Sequence, residues 1–264
     1  MRDVTDAHRI LRSIDLTNLA DDCTVDDVRD LCRRAVTPHG SVAAVCVWPR
    51  FVRIARDELS RHQAADDGSP NERGVAGRVA VATVTNFPSG DESVDAVVLA
   101  TRDALADGAD EIDVVLPYRA VSRGELASAA RLLDAVRATV DGGRLLKVIL
   151  ETGELMESDL IRRAARLAVD HGADVVKTST GKTSVSATVD AVRIVLEVVR
   201  DEFRATGRVV GIKPSGGIRR IDDALGYLRL CDEMMGVDWA GPRTFRLGAS
   251  ALLDAVLGAI DEPA

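Results

Sequence analysis

The sequence predicts an α/β protein, a single-domain (β/α)8 or TIM barrel over residues 1–264, and three observations carry that expectation. Eight short runs rich in β-branched residues alternate with amphipathic stretches of helical length, as in repeated βα units around a parallel sheet. The length of 264 residues is close to the usual barrel size of about 250. Several helical stretches end in glycine just before the next strand, twice in the same GAD wording: DGADEIDVV and HGADVVKTS.

The strands are expected at 13–17 (SIDLT), 43–48 (AAVCVW), 79–85 (VAVATVT), 111–116 (EIDVVL), 145–151 (LLKVILE), 174–178 (DVVKT), 209–213 (VVGIK) and 244–248 (TFRLG). Between them, residues 91–107 place Val94, Val97, Val98, Thr101 and Leu105 at three- and four-residue steps, a stripe that can pack on a sheet. Gly108 and Gly172 suit the helix C-terminus. An open doubly wound sheet is the competing architecture. It is weakened because no GxGxxG follows the first strand. The polar run 63–77 reads as a surface loop.

Composition narrows the function. A net charge of -8 argues against nucleic acid or an anionic membrane as partner, since both need a basic face. No apolar run approaches the roughly 18 residues of a membrane span, and the start MRDVTDAHRI is too charged for a signal peptide, so a cytoplasmic location is expected. Cys23, Cys32, Cys46 and Cys231 form no CxxC pair, and the histidines show no HExxH spacing. Reduced thiols and no metal are therefore expected.

Strands of a closed barrel are covered on both sides, so a charge within one must be paired or functional. Asp113, Lys147, Glu151, Lys177 and Lys213 are such charges, and the period-two pattern puts them on inward faces if the flanking valines and isoleucines face in. A purely structural ion network is one reading. Position favours another: Lys177 and Lys213 end consecutive strands, on the rim where barrel active sites are built. Of 34 basic side chains, Lys147, Lys177, Lys182 and Lys213 alone are lysine. An amine can lose its proton and attack a carbonyl, whereas arginine stays charged. Mutual repulsion and burial would favour the neutral form of one amine, and Asp113 could relay protons through water. Lys147 has no role beyond pairing with a neighbouring acid.

A second theme is anion binding. TSTGKTS carries Thr180, Gly181 and Lys182; KPSGGIR carries Gly216, Gly217 and Arg219; LGASALL carries Gly248 and Ser250 at a helix start. Glycine turns and helix N-termini present N–H groups, and loops after the last strands of a barrel commonly hold phosphate. Cys46 reads as a core thiol, and Trp48, Trp239 and Phe87 as packing. Asp15 and Thr17, ending strand one, either contact substrate or cap the next helix.

The segments IDLTNL, VCVWPRFV, VATVTNFPSG, GADEIDVVLPYRA, LLKVILETGEL, GADVVKTSTGK, GIKPSGGIR and RLGAS together resemble the 2-deoxyribose-5-phosphate aldolases, from about Asp15 to Leu253. The resemblance implies a class I aldolase that needs no cofactor. It would cleave 2-deoxy-D-ribose 5-phosphate reversibly to acetaldehyde and D-glyceraldehyde 3-phosphate in deoxyribonucleotide catabolism. It implies the Schiff base on Lys177, a pKa-lowering role for Lys213, and water-assisted proton transfer by Asp113. Thr180, Gly181, Lys182, Gly216, Gly217, Arg219, Gly248 and Ser250 would bind phosphate, with Asp15, Thr17 and Cys46 near the substrate. A homodimer or tetramer is expected. Two departures stand out: Ala251 replaces a serine that follows the GAS motif in some members, and IDEPA replaces a terminal tyrosine found in certain members.

Overall fold

Parallel strands need crossover connections, and this chain supplies a helix after each of its strands. The computed structural model describes residues 2–65, 78–141 and 143–262. Among them, eight parallel strands form one sheet: β1 (Ile14–Asn18), β2 (Ala44–Val47), β3 (Ala80–Thr85), β4 (Glu111–Val115), β5 (Leu145–Ile149), β6 (Val175–Lys177), β7 (Gly211–Lys213) and β8 (Leu247–Ala249). Their order is β8-β1-β2-β3-β4-β5-β6-β7. Parallel bridges from Ile212 to Phe245 and from Ser215 to Gly248 close the seam between β7 and β8. There the Gly248 N–H donates to the Pro214 carbonyl at 2.9 Å and the Arg246 N–H to Ile212 at 3.0 Å. The result is a (β/α)8 barrel, without the free edge that a doubly wound sheet keeps.

All eight expected strands exist; β5 stops at Ile149 rather than 151, β6 is trimmed to Val175–Lys177, and the last two are shorter or displaced. The segment before β8 folds into a turn in which the Thr244 and Phe245 N–H groups donate back to Gly241 at 2.9 and 2.7 Å. That turn withdraws donors from the ladder, so β8 begins at Leu247 rather than at 244. At β7, Val209 is exposed and the ladder starts at Gly211, whose Cα lies so close to Thr244 that an added Cβ would sit 2.9 Å from its carbonyl oxygen. Of the polar loop expected at 63–77, residues 66–77 lie outside the described residues, and 63–65 finish the helix Val52–Ala65.

One helix escaped the sequence pattern. Arg2–Leu11 precedes β1 and buries Ala7, Ile10 and Leu11, while Arg9 forks onto Asp232 at 2.8 and 2.7 Å. Its apolar face spans barely two turns, too little for a periodicity signal. Among the described residues no helix is long and apolar enough to cross a membrane.

The two GAD sequences build the same device. Gly108 and Gly172 take φ of 103° and 90°, left-handed values that end the helices before β4 and β6. The aspartate that follows accepts the N–H of a neighbouring strand: Asp110 from Val81 at 2.9 Å, Asp174 from Leu146 at 2.8 Å. Each aspartate also pairs with an arginine that lies over the glycine, Arg56 on Asp110 and Arg137 on Asp174. Glycine is required there because a Cβ at Gly172 would sit 2.6 Å from Arg137 Cδ.

Strand alternation divides the core into two. Val45, Val47 and Val81 face the helices in the large outer cluster, whereas Ala44, Cys46, Ala82 and Val84 face the interior with Leu19. The rest of the interior is charged. Arg246 bonds Glu111 at 2.7 and 3.2 Å and Asp15 at 2.5 Å. Lys147 contacts Asp15 at 2.9 Å, Glu111 at 2.5 Å and Asp113 at 3.0 Å. These charges plug the barrel beneath its catalytic rim. Removing one partner of such a buried set leaves uncompensated charge, so Arg246→Ala is expected to destabilise the fold by about 3–5 kcal/mol. Urea unfolding monitored by circular dichroism measures it, and an unchanged midpoint would show the plug to be dispensable.

Candidate active site

Above the plug, Lys177 on β6 and Lys213 on β7 stand directly opposite each other in the sheet register. Neighbouring parallel strands lie about 4.8 Å apart, so both side chains project together into the interior. Asp113 on β4 receives them both at one oxygen: Lys177 Nζ is 2.9 Å and Lys213 Nζ 2.7 Å from Oδ2. Lys213 also reaches Asp15 Oδ2 at 2.6 Å. All four groups are buried. Asp113 Oδ1 lies 3.0 Å from Lys147 Nζ but out of line for a hydrogen bond, which leaves a lone pair on a buried carboxylate.

Environment separates the two amines. Burial lowers the Lys177 pKa, and Lys213 lowers it further; Asp113 opposes both, and the net direction is downward. Burial presses on Lys213 in the same sense, but Asp113 and Asp15 outweigh it and raise its pKa. Lys177 is thus the amine that deprotonates first, beside a neighbour that stays charged. Burial alone would raise the Asp113 pKa, yet Lys147, Lys177 and Lys213 hold it far below the usual carboxylate range. The resting site thus holds it in the ionised form, able to accept a proton.

Lys177 opens on a cavity of about 510 Å³, of a size for a small ligand. Thr17, Thr180, Gly181, Lys182, Gly216, Gly217, Arg219, Gly248 and Ser250 are among the residues that line it. Gly181, Gly216 and Gly217 all take positive φ, at 79°, 86° and 76°. A Cβ on Gly216 would sit 2.4 Å from Ser186 Oγ, and 3.2 Å from Gly181 Cα, so the two loops meet backbone to backbone. Gly248 makes room for the stem of Lys213, whose Cε would lie 3.1 Å from an added Cβ. Ser250 stands two residues before the helix Leu252–Asp261, whose first-turn N–H groups favour an anion. Ala251 occupies the N-cap position with no side-chain cap.

Four of the expected site residues are not on this lining: Asp113 and Lys213, already placed in the ion cluster, and Asp15 and Cys46. Asp15 is buried in the ion network, and the helix after β1 is capped by Thr24 with Asp27 rather than by Asp15 or Thr17. Cys46 lies in the inner apolar cluster, where burial raises its pKa and keeps the thiol protonated. Glu151, expected within the strand, lies two residues past β5 and forms no ion pair with a lysine: its carboxylate accepts the Thr180 N–H at 3.2 and 3.3 Å, the Thr180 hydroxyl, and the Thr183 hydroxyl at 3.2 Å.

Sequence reasoning overlooked Glu111, Arg246 and Ser215. The rule that flagged Lys147, a charge within a covered strand, would have flagged Glu111 in EIDVV and Arg246 in TFRLG. Ser215, between Pro214 and Gly216, lines the cavity and donates its hydroxyl to the Ser179 carbonyl at 2.8 Å; no spacing signal marks it.

A barrel that opens a pKa-lowered lysine onto a glycine-lined anion rim defines an enzyme of the amine-catalysis class. A family model described as DeoC/LacD family aldolase matches residues 9–252. The deoxyribose-phosphate aldolase of Agrobacterium fabrum is 46% identical over 256 residues, 96% of this chain and 92% of that protein. Two solved structures provisionally assigned as deoxyribose-phosphate aldolases also match. The one from Coccidioides immitis is 31% identical with a TM-score of 0.77, over 96% of this chain and 86% of the other. The one from Toxoplasma gondii is 27% identical with a TM-score of 0.86, over 98% and 96%. The chain belongs to the DeoC/LacD aldolase family.

Replacing Lys213 with leucine removes the repulsion and frees Asp113 for Lys177, both of which raise the Lys177 pKa. The acid limb of the kcat/KM profile should therefore move to higher pH in Lys213→Leu, with the rate at neutral pH down about a hundredfold. Rate profiles between pH 5 and 10 check this, and an unmoved limb would mean the amines are uncoupled.

Proposed function

We propose that this chain is a one-domain, cytoplasmic class I deoxyribose-phosphate aldolase that works without metal or organic cofactor. It reversibly cleaves 2-deoxy-D-ribose 5-phosphate to acetaldehyde and D-glyceraldehyde 3-phosphate, a step in deoxyribonucleotide catabolism. The observation that carries this reading is the unequal pair of amines on one Asp113 oxygen, of which Lys177 lines the cavity.

Neutral Lys177 attacks the C1 aldehyde of the open-chain sugar, and uptake of one proton from solvent with loss of water gives a protonated imine. The C3 hydroxyl proton passes to Asp113 through a water, and a carbonyl forms at C3. The C2–C3 bonding electrons move into the imine, giving an enamine and releasing glyceraldehyde 3-phosphate. Protonation of the enamine at C2 and hydrolysis free acetaldehyde and the amine. Charged Lys213 keeps Lys177 available as the neutral nucleophile and stays out of the covalent chain of events. The phosphate lies against the glycine turns, with the N–H groups of Gly181 and Gly217 as donors and Thr180, Lys182, Gly216, Arg219, Gly248 and Ser250 beside it; Thr17 borders the sugar end, with Asp15 and Cys46 buried behind the lining. The dimer or tetramer expected from the resemblance belongs to the same proposal, and light scattering in solution reads it.

Borohydride added during turnover should reduce the imine and fix a two-carbon adduct on Lys177, located by peptide mass spectrometry, and Lys177→Ala should lower kcat by at least about 10⁴-fold. A labelled peptide from elsewhere, or an active Lys177→Ala variant, would exclude the mechanism. Wild-type cleavage of deoxyribose 5-phosphate, coupled to detection of glyceraldehyde 3-phosphate, tests the substrate; no turnover would leave only a sugar-phosphate binder.

A further inference from the structure

We infer that Glu151 is the positioning residue that fixes the TSTGKT loop, residues 178–183, and so sets affinity for the phosphate of the substrate proposed above. The inference deepens that proposal and rests on it for the substrate.

Glu151 stands two residues past β5, at the N-cap of the short helix Thr152–Leu155, with φ 56° and ψ 61°, a left-handed conformation for a residue with a long side chain. Such a backbone costs free energy and persists only where its surroundings fix it. Here the turn directs a largely buried carboxylate to the underside of the loop. Among the described residues no lysine or arginine forms an ion pair with it. Its oxygens are instead filled by three loop donors: the Thr180 N–H, the Thr180 hydroxyl and the Thr183 hydroxyl. A buried carboxylate satisfied wholly by one loop holds that loop, because releasing it would leave the charge unsolvated. The Thr180 hydroxyl in turn accepts the Lys182 N–H at 3.1 Å, carrying the constraint to the cavity.

The backbone around Glu151 locks to the same loop. The Thr152 N–H donates to the Thr178 carbonyl at 2.9 Å, and Gly153 touches Val185 so closely that a Cβ would lie 2.1 Å from its carbonyl oxygen. On the far side, the loop is held against β7 by Ser215, which donates to Ser179, and by Gly216 against Gly181 and Ser186. Gly181 and Lys182 line the cavity; Glu151 does not. Its influence on a ligand therefore passes through the loop.

The test compares two substrates, 2-deoxyribose 5-phosphate and 2-deoxyribose, which differ only in the group the loop would hold. Glu151→Gln keeps the shape but leaves one acceptor oxygen for three donors. We expect kcat/KM for the phosphorylated sugar to fall about tenfold, almost entirely through KM, while kcat/KM for 2-deoxyribose changes less than about twofold. Equal losses on both substrates, or none on either, would overturn the inference. Should Glu151→Gln fail to fold, Thr183→Val removes a single donor and should show the same selective loss, about threefold in KM. Calorimetric titration with inorganic phosphate separates this inference from the proposed activity. Phosphate binding weakened about tenfold in Glu151→Gln supports the positioning role even if wild-type protein does not cleave the sugar, and unchanged binding refutes it.

Discussion

One carboxylate, that of Asp113, meets three ammonium groups inside the barrel, and both halves of the structure depend on it. Toward the plug its Oδ1 faces Lys147, which passes charge on to Asp15, Glu111 and finally Arg246. Toward the rim its Oδ2 holds Lys177 and Lys213. An ion set of this kind is a poor source of stability, since desolvation of each charge offsets most of the attraction. Its value is electrostatic arrangement: fixed charges at fixed distances, in a low-dielectric interior where they differ in effect from charges in water.

That arrangement answers why lysine appears where it does in an arginine-rich chain. Surface positions use arginine, which forks onto carboxylates, as Arg9 does on Asp232. Arg246, in the plug, also forks, and its permanent charge suits a purely structural place. In the proposed mechanism Lys177 must lose a proton, and the slim stem of Lys213 passes Gly248. Lys147 is now accounted for as the bridge between plug and site. The structural network and the catalytic centre, which the sequence presented as alternatives, are two ends of one cluster.

The rim follows a different physics, that of backbone. Gly181, Gly216 and Gly217 take conformations that other residues adopt with strain, and the contact of Gly181 with Gly216 permits no side chain between the loops. Glu151 accepts a strained backbone as well, and the hydrogen bonds its carboxylate accepts all come from the neighbouring loop. Rigid strands beneath and mutually braced loops above thus set the Lys177 amine and the glycine turns on one cavity.

The sequence by itself determined the eight strands, the helix-ending glycines at Gly108 and Gly172, and the short set of in-strand charges, because periodicity, turn chemistry and the penalty on buried charge are local or nearly local rules. It also singled out Lys177 and Lys213 as a pair, through strand ends and the scarcity of lysine. Strand position left the two equivalent, and only the family resemblance told them apart. The physical cause of their difference comes from tertiary structure: Asp15, brought from β1, reaches Lys213, while Lys177 opens on the cavity. The same holds for Arg246 and Glu111, remote in the chain and joined in the plug, and for the hold of Glu151 on Thr180. Such pairings depend on closure of the barrel, which brings the first strand beside the last and lets side chains from opposite strands meet in one interior.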